Sequence, residues 1–430
     1  MKILHTSDLH IGQTIYQHYD RVDEHLHFFA QLKKWCQEEK PDALLVSGDV
    51  FDIQQPSASV KEFFNEQFIK LNEAYPEMKI VVTAGNHDSP SRLNADKSLW
   101  SKWNLHLVSV APSVQREGNW MESYIVRLPQ GYIVAVPYAV GERTDFYQEI
   151  FDYIAKENVD NKPVVAMGHL SVTGMDATGH DFIGTIKKQE ISSLGTGYDY
   201  FALGHIHCPQ TIGHHEDKLN LDEVVYPSGV VRYSGSALHV SCDEAYPHTV
   251  SVVEIEQHGG NVKLRQLRID ELRHFYELPL DKSQFFTDEN DILSAIDDFC
   301  KKNERGYFRL RVDYKTQIAP NFNQKVYELL MEYNNEVRYN PKILWTGKEE
   351  ESNKEKVKPT FEVAELQQMT DPMQFIERII SRYSDLNLEE VRKAFEEVKE
   401  EVHRMDEEEQ KKEKSSKKTK KQEENQQENE

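Results

Sequence analysis

Six short runs of aliphatic, β-branched and aromatic residues recur in the first half of the chain, and they constrain the fold more than any other feature. The runs are Ile3–Thr6, Ala43–Val46, Ile80–Thr83, Tyr132–Val136, Val164–Met167 and Tyr200–Leu203. Apolar residues at helical spacing lie between some of them, namely Val22, Leu26, Phe29, Leu32 and Cys36, then Val60, Phe63, Phe64, Phe68 and Leu71. Strands alternating with amphipathic helices predict a layered α/β domain.

The pattern changes several times along the rest of the chain. We predict a main α/β domain at residues 1–275 and a small α/β capping domain at 276–346. A charged segment without apolar periodicity, 347–370, is typical of a linker. Two amphipathic helices are predicted within 371–404, followed by a tail at 405–430 that is too polar to fold.

The capping domain has its own signals. Helical faces are predicted at Ile292–Cys300 and at Val326–Tyr333, on either side of an alternating strand, Phe308–Val312. Arg309 and Arg311 alternate onto one face of that strand. This favours a solvated strand face over a DNA contact, because alternation alone produces such a face.

Composition excludes several classes of protein. The 430 residues include 51 Lys and Arg against 73 Asp and Glu, a formal net charge of −22. Nucleic-acid binding over the whole surface is therefore not expected, because such binding depends on cationic contacts to phosphate. No run approaches the ~20 apolar residues of a membrane helix, and the N-terminus lacks a signal-peptide layout. The four scattered cysteines are expected to be reduced thiols in a soluble, cytoplasmic protein.

Potential metal ligands follow five of the six runs. The turns are Asp8-Leu9-His10, Gly48-Asp49-Val50-Phe51-Asp52, Gly85-Asn86-His87-Asp88, Gly168-His169 and Gly204-His205-Ile206-His207. Loops at the carboxyl ends of strands converge on one crevice in open α/β sheets, so we expect these side chains to meet. Each motif alone also fits a turn, a helix cap or a surface strand, but five in succession favour a common site.

The types of ligand indicate the chemistry. Asp, His and Asn without thiolates suit divalent ions such as Mn²⁺, Fe²⁺ or Zn²⁺. Seven candidate ligands exceed the needs of one tetrahedral ion, but they suffice for two if one carboxylate bridges. Two ions ~3.5–4 Å apart can activate a shared water and bind a phosphoryl oxygen. Cys208 is not expected to be a ligand, because it would point away if residues 205 and 207 face inward on a strand.

In this order, D-x-H, G-D-x-x-D, G-N-H-D, G-H and G-H-x-H resemble the motifs of the calcineurin-like metallophosphoesterase superfamily. The words HTSDLHIGQ, SGDVFD, AGNHDSPSRLN, ALGHIH and YSGSALHVSCDEA are similar to one branch of it, the nuclease subunits of bacterial DNA-repair complexes. The resemblance covers about residues 1–400 and is densest in the first 245. It implies a layered phosphoesterase sandwich that cuts DNA, as exonuclease and endonuclease, with two manganese ions.

The resemblance also implies roles for particular residues. Asp8, His10 and His207 would hold the first ion, Asn86, His169 and His205 the second, and Asp49 would bridge them. His87 would act at the leaving oxygen, with Asp88 orienting its ring, although a histidine that merely caps the turn is the alternative.

Three further residues lie near these motifs, and two of them, Asp52 and Arg92, have two interpretations each. Asp52 either supports a ligand histidine or caps the next helix. Arg92 and Ser89 follow the Asn-His-Asp turn, where Arg92 either meets a substrate phosphate or forms a surface ion pair.

The C-terminal helices raise the question of a partner. Ile376, Ile379, Ile380 and Tyr383 share one helical face, and Leu388, Val391, Phe395, Val398 and Val402 form a second stripe. Such stripes pack either on each other or on a partner helix. The resemblance implies a coiled-coil ATPase partner, within an assembly built on a homodimer of this chain, and a substrate of DNA ends and hairpins. A non-DNA phosphodiester, such as a cyclic nucleotide, or a DNA-tethering role are the alternatives.

Overall fold

The fold is described from a computed structural model of the chain. It describes residues 1–16, 19–95, 97–112, 118–139, 144–177, 188–214, 221–240, 243–244, 246–333 and 336–346. All of these lie in one compact unit, Met1–Lys348. The predicted linker, C-terminal helices and tail lie outside the described residues.

Strands and short helices alternate along this unit. The strands are β1 Lys2–Thr6, β2 Thr14–Ile15, β3 Tyr19–Asp20, β4 Ala43–Ser47, β5 Lys79–Thr83, β6 Leu105–Val108, β7 Ile125–Leu128, β8 Gly131–Ala135, β9 Val164–His169, β10 Tyr200–Gly204, β11 Gln210–Thr211, β12 Val224–Tyr226, β13 Val230–Tyr233, β14 Thr249–Ile255, β15 Val262–Arg268, β16 Phe275–Leu278, β17 Arg305–Asp313, β18 Glu336–Tyr339 and β19 Leu344–Thr346. The α-helices are α1 Val22–Glu39, α2 Ala58–Ala74, α3 Pro90–Ala95, α4 Lys97–Trp100, α5 Asp145–Glu157, α6 Glu289–Lys302 and α7 Phe322–Met331. Short 3₁₀ turns occupy Ser101–Trp103, Trp120–Tyr124 and Ile191–Leu194.

Two sheets form the main body. The first has the order β12-β15-β14-β1-β4-β5-β6 and the second β11-β13-β10-β9-β8-β7. The central strands β1, β4, β5 and β6 are parallel, as are β8, β9, β10 and β13. Parallel central strands place their carboxyl ends at one edge of each sheet, which is where the ligand-bearing loops begin.

The central strands β1, β4 and β5 of the first sheet are buried on both faces. Ile3, Ala43, Leu45 and Val81 pack in one core with the second sheet, whereas Leu4, Leu44, Val46, Ile80 and Val82 pack against α1 and α2. Successive strand residues point to opposite faces, so one continuous apolar run supplies both cores. All six predicted runs form strands, and the predicted layered α/β fold class is confirmed.

The buried face of helix α1 differs from the apolar face that the sequence predicts. Val22 and Leu26 are 49% and 44% exposed, while Glu24 and His25 are buried. The reason is polar pairing: Arg21 binds the Glu24 carboxylate at 3.0 Å, and the His25 ring lies between the carbonyls of Arg21 and Leu9. The buried face of the helix therefore includes two polar residues, which a pattern of apolar residues alone does not identify.

The third sheet, with the path β16-β17-β18 and β19 beside β17, belongs to the predicted capping domain. It packs on α6 and α7 around a separate apolar core that includes Ile292, Ile296 and Val326. Tyr333 lies beyond the end of α7, so that part of the predicted helical face is wrong. The boundary between residues 275 and 276 stays a prediction.

The predicted solvated face of β17 is wrong. Arg311 is only 6% exposed, and its guanidinium binds the Glu277 carboxylate of the neighbouring strand β16. Arg309 Nε lies 2.9 Å from the same carboxylate, and its Nη1 lies 2.6 Å from Asp243 Oδ1. Both cations are neutralised by carboxylates that are distant in the sequence, which alternation along a single strand cannot reveal.

Among the described helices, none combines the length and apolar character needed to cross a membrane.

Candidate metal centre

The predicted ligand loops converge at the carboxyl ends of β1, β4, β5, β9 and β10. Asp8, His10, Asp49 and His205 all adopt positive φ angles, of 50°, 45°, 46° and 96°. Side-chain-bearing residues rarely take this conformation, which costs about 1–3 kcal/mol each and persists only where the surrounding structure enforces it. The chain therefore holds four candidate ligands in place through its backbone as well as through side-chain packing.

Two glycines make room for this convergence. Gly48 has φ of +85°, and a Cβ on it would lie 2.1 Å from His169 Nδ1. A Cβ on Gly85 would lie 2.0 Å from Asp49 Oδ1. Any larger residue at these two positions would displace a candidate ligand.

The first group of ligands comprises Asp8, His10 and His207. One ligand atom from each lies within 4.8 Å of the others, and all three residues are buried. The backbone N–H of His205 donates to Asp8 Oδ1 at 3.0 Å, which ties the loop after β10 to the loop after β1. The structure thus brings together the three residues that the motifs imply for one ion.

The second group comprises Asp49, His169 and His205, again with ligand atoms within 4.8 Å of one another. Asn86 Oδ1 lies 2.9 Å from His169 Nε2 and 3.0 Å from His205 Nδ1, so it faces both rings. The Ser47 carbonyl accepts a hydrogen bond from His169 Nδ1 at 2.9 Å. That bond leaves Nε2 as the nitrogen that faces the group.

Asp49 lies between the two groups. Its Oδ2 is 3.3 Å from His169 Nε2 and 3.9 Å from His10 Nε2. Burial opposes its ionisation, but His169 and His10 outweigh burial and hold the pKa of Asp49 well below its usual range. Burial likewise opposes a charged His169, yet Asp49 raises the pKa of His169 to about 9. Asp49 is thus a buried carboxylate that requires positive charge on both sides.

The donor set fits divalent cations. Both ring nitrogens of His10 are buried; Nδ1 lies 3.4 Å from Asp52 Oδ1, and Nε2 has no hydrogen-bond partner among the described residues. Buried polar atoms are almost always satisfied, so this ring is placed for a different kind of bond. Imidazole with carboxylate and amide oxygen suits Mn²⁺, Fe²⁺ or Zn²⁺.

The surroundings of His87 differ in part from the prediction. Its Nδ1 donates to the Asp52 carbonyl oxygen at 2.7 Å, and its ring lies 5.0 Å from that of His10. The Asp88 carboxylate instead accepts backbone N–H groups of Val50, Phe51 and Gly85 at 2.8–3.1 Å. The oxygens of Asp88 thus hold two ligand loops together, and its role in orienting the His87 ring stays a prediction. Burial, reinforced by Asp49, raises the pKa of Asp88 to about 6.

Asp52 lies beside a candidate ligand. Its Oδ1 is 3.4 Å from His10 Nδ1, and Asp52, His10 and His87 form a third group of possible ligands. The alternative that Asp52 caps the next helix is wrong, because α2 begins at Ala58 and Ser57 accepts from the Val60 N–H at its N-terminus.

Three nearby residues fall outside these groups. Arg92 is exposed on α3 and, in the described part of the chain, takes part in no ion pair. Ser89 lies just before this helix, with its hydroxyl 3.3 Å from that of Ser91. Cys208 is buried in the apolar core.

Strand β10 ends at Gly204, so His205 and His207 project from a loop and not from the strand assumed above.

Sequence reasoning missed Glu244 as a member of the site. Its Oε1 lies 2.9 Å from His207 Nδ1, and both side chains are buried. Burial raises the pKa of Glu244 to about 7 and lowers that of His207 to about 4. At pH 8 the pair is thus a carboxylate beside a neutral imidazole. Glu244 follows His207 by 37 residues, and although the word YSGSALHVSCDEA includes it, no ligand spacing singled it out.

The fold and the ligand groups can be compared with a known protein family. Residues 1–209 match the family described as calcineurin-like phosphoesterase. The two packed sheets, with Asp, Asn and His residues at the carboxyl ends of their strands, are consistent with that match. This part of the chain is thus similar to calcineurin-like phosphoesterase domains.

Several curated proteins are similar to this chain in sequence. The chain is 31% identical over 276 residues to the SbcD subunit of the SbcCD nuclease from Escherichia coli K12, across 58% of this chain and 65% of that protein. It is 28% identical to the proteins of that name from Rhodobacter capsulatus and Bacillus subtilis, each across 59% of this chain and 66% of the relative. The chain thus spans slightly less than two thirds of the length of these relatives. A dimetal phosphatase from Danio rerio aligns with a TM-score of only 0.34 and 9% identity, over 63% of this chain and 99% of that one.

Proposed function

We propose that this chain is a metal-dependent DNA nuclease that hydrolyses phosphodiesters with two divalent ions, Mn²⁺ in the cell. The observation that carries the proposal is the meeting of two ligand groups at one buried carboxylate, Asp49. Asp8, His10 and His207 would hold one ion, and Asn86, His169 and His205 the other, with Asp49 shared. When bound, such ions supply an activated water and neutralise charge that develops on phosphoryl oxygens.

The protein's own residues fix the geometry of this reaction. The Ser47 carbonyl holds the His169 ring through Nδ1, so that Nε2 points toward Asp49 and Asn86. Asp49 Oδ1 also accepts the backbone N–H of His87 at 2.8 Å, which links the shared carboxylate to the loop of the proposed acid. Positioning of this kind lowers the barrier because the groups need not reorganise during the reaction.

His87 is the proposed general acid. Its Nδ1 is bonded to the Asp52 carbonyl, so the proton for the leaving sugar oxygen would be held at Nε2. The ring is half-buried beside His10, close to the ligand groups without being needed in the set of seven. Arg92, exposed on α3, and Ser89 would contact the substrate phosphates.

DNA ends and hairpins are the proposed substrate, because the curated relatives are named as nuclease subunits. We further propose that residues 371–404 bind an SbcC-type coiled-coil ATPase and that two copies of this chain join a heterotetramer. A formal net charge of −22 supports a partner that supplies cationic contacts to DNA. A cytoplasmic location is consistent with buried free thiols at Cys36, Cys208 and Cys300.

A nuclease assay tests the proposal. Linear duplex DNA, a DNA hairpin, a cyclic nucleotide and an aryl phosphodiester would each be incubated with the full chain and Mn²⁺, with and without the ATPase. We expect Mn²⁺-dependent cleavage of both DNA substrates, increased by the partner, and none by Asp49→Asn. Cleavage of the cyclic nucleotide alone, or DNA cleavage that survives a chelator, would refute the proposal.

A further inference from the structure

Glu244 forms a buried contact with a proposed metal ligand. Its Oε1 lies 2.9 Å from His207 Nδ1, and the side chains of the two residues are 0% and 7% exposed. A histidine that binds a cation through one ring nitrogen typically donates the N–H of the other ring nitrogen to a carboxylate. Here Nδ1 contacts the carboxylate of Glu244, so Nε2 is the nitrogen that is placed to bind a cation.

The second carboxylate oxygen fixes Glu244 itself. Oε2 accepts the backbone N–H of Val240 at 3.0 Å and lies 3.4 Å from His248 Nε2. These contacts leave the carboxylate little freedom to turn away from His207. Glu244 thus has the position of a support and not that of a mobile surface acid.

The segment that carries Glu244 is anchored from two further sides. The Arg21 guanidinium donates to the carbonyl of His239, and Asp243 Oδ1 lies 2.6 Å from Arg309 Nη1 on β17. Arg309 also binds Glu277 of β16. The third sheet therefore holds this segment in place beside the metal centre.

We propose that Glu244 is a positioning residue that fixes the tautomer and orientation of His207 for binding of a divalent ion together with Asp8 and His10. Carboxylates bonded to a ligand histidine raise the basicity of its metal-binding nitrogen, and their loss typically weakens metal affinity about 10- to 100-fold. The inference rests on the proposed function, since it assigns Glu244 to the same site. It concerns this chain's own residues and is measurable without catalysis.

Two variants of the full chain test this role. Glu244→Met fills a similar volume without an acceptor, whereas Glu244→Gln keeps one acceptor oxygen without the charge. Glu271→Gln is the matched control, because Glu271 Oε1 lies 3.6 Å from His239 Nδ1, a histidine outside the ligand groups. Mn²⁺ binding would be measured by calorimetry at pH 8, and the His207 tautomer by ¹⁵N NMR of the metal-free protein.

We expect Glu244→Met to populate the Nε2–H tautomer of His207 and to weaken one of two Mn²⁺ sites by about 10- to 100-fold. Glu244→Gln should weaken the same site less, and Glu271→Gln should change neither measurement. Wild-type tautomer and affinity in folded Glu244→Met would overturn the inference. If that variant does not fold, Glu244→Gln decides, because loss of the charge must lower the affinity.

The two proposals fail in different ways. A wild-type protein that binds no divalent ion would refute the proposed function and, with it, the metal-binding part of this inference. Two tight wild-type sites that are unchanged in both Glu244 variants would refute the inference and leave the proposed function standing.

Discussion

The Nδ1 atom of His87 donates to the backbone carbonyl of Asp52 across 2.7 Å, so the loop after β4 orients the side chain of the loop after β5. The bond acts through the backbone of Asp52, which means that replacing the Asp52 side chain leaves it intact. The proposed acid is therefore fixed by main-chain geometry.

His87→Gln is expected to lower DNA cleavage by about 10²- to 10⁴-fold, the usual contribution of a general acid. Mn²⁺ content and DNA binding should stay at wild-type levels, because the proposed role acts only in the transition state. Single-turnover cleavage, elemental analysis and a filter-binding assay measure the three quantities. Cleavage at a near wild-type rate would reduce His87 to a turn residue, and loss of metal would move it into the ligand set.

Asp49→Ala should lose both metal ions, because the shared carboxylate faces both ligand groups. Cys208→Ser is the control, since this thiol is buried in the apolar core outside the ligand groups, and it should keep both ions. Elemental analysis after gel filtration measures the content. Two ions retained by Asp49→Ala would contradict the shared position of this residue.

Acid should destabilise the protein in part through His5. Burial, with a further contribution from Arg232, lowers the pKa of His5 from 6.5 to about 3. Below pH 6.5 the unfolded chain binds a proton at His5 that the folded chain rejects, so the free energy of unfolding falls as the pH falls from 6.5 toward 3. Between pH 7 and pH 5 this one group accounts for about 2 kcal/mol.

Urea unfolding at both pH values, wild type against His5→Gln, measures this contribution. The variant should lose about 2 kcal/mol less than wild type over the same pH range. Tyr200→Phe is the control, because it removes the 2.8 Å contact between the Tyr200 hydroxyl and His5 Nδ1. The His5 ring itself stays buried near Arg232 in this variant. Parallel pH profiles of wild type and His5→Gln would show that His5 protonates freely in the folded protein.

A chain that ends at Thr370 should fold and bind metal but fail to assemble with the proposed ATPase partner. The compact unit that contains every described ligand, Met1–Lys348, lies entirely within this chain. The truncation removes the two apolar stripes between Ile376 and Val402, which would otherwise be buried against the partner. Co-elution of purified subunits on gel filtration compares the two forms. Equal co-elution would indicate that the partner binds elsewhere.

Much of the fold was predictable because the central strands β1, β4 and β5 of the first sheet are buried on both faces, so each is a nearly continuous apolar run. The position of the ligands was predictable for a related reason: parallel strands place successive loops at one edge. The contacts of Asp88 and the pairing of Arg309 with Asp243 were not predictable from local pattern. Each depends on the register between segments far apart in sequence, as does the contact of Glu244 with His207.

The ligands belong to two different sheets. Asp8 and Asp49 follow strands of the first sheet, whereas in the second sheet His169 ends β9 and His205 follows β10. Between the sheets, the Ser47 hydroxyl donates to the Ala202 carbonyl at 3.0 Å, close to the Leu45 layer of the shared core. A small shift of one sheet relative to the other would change the distances between the ligands that the two sheets carry. Substitutions deep in that apolar layer, distant from the ligands themselves, should thus alter metal affinity as well as the melting temperature.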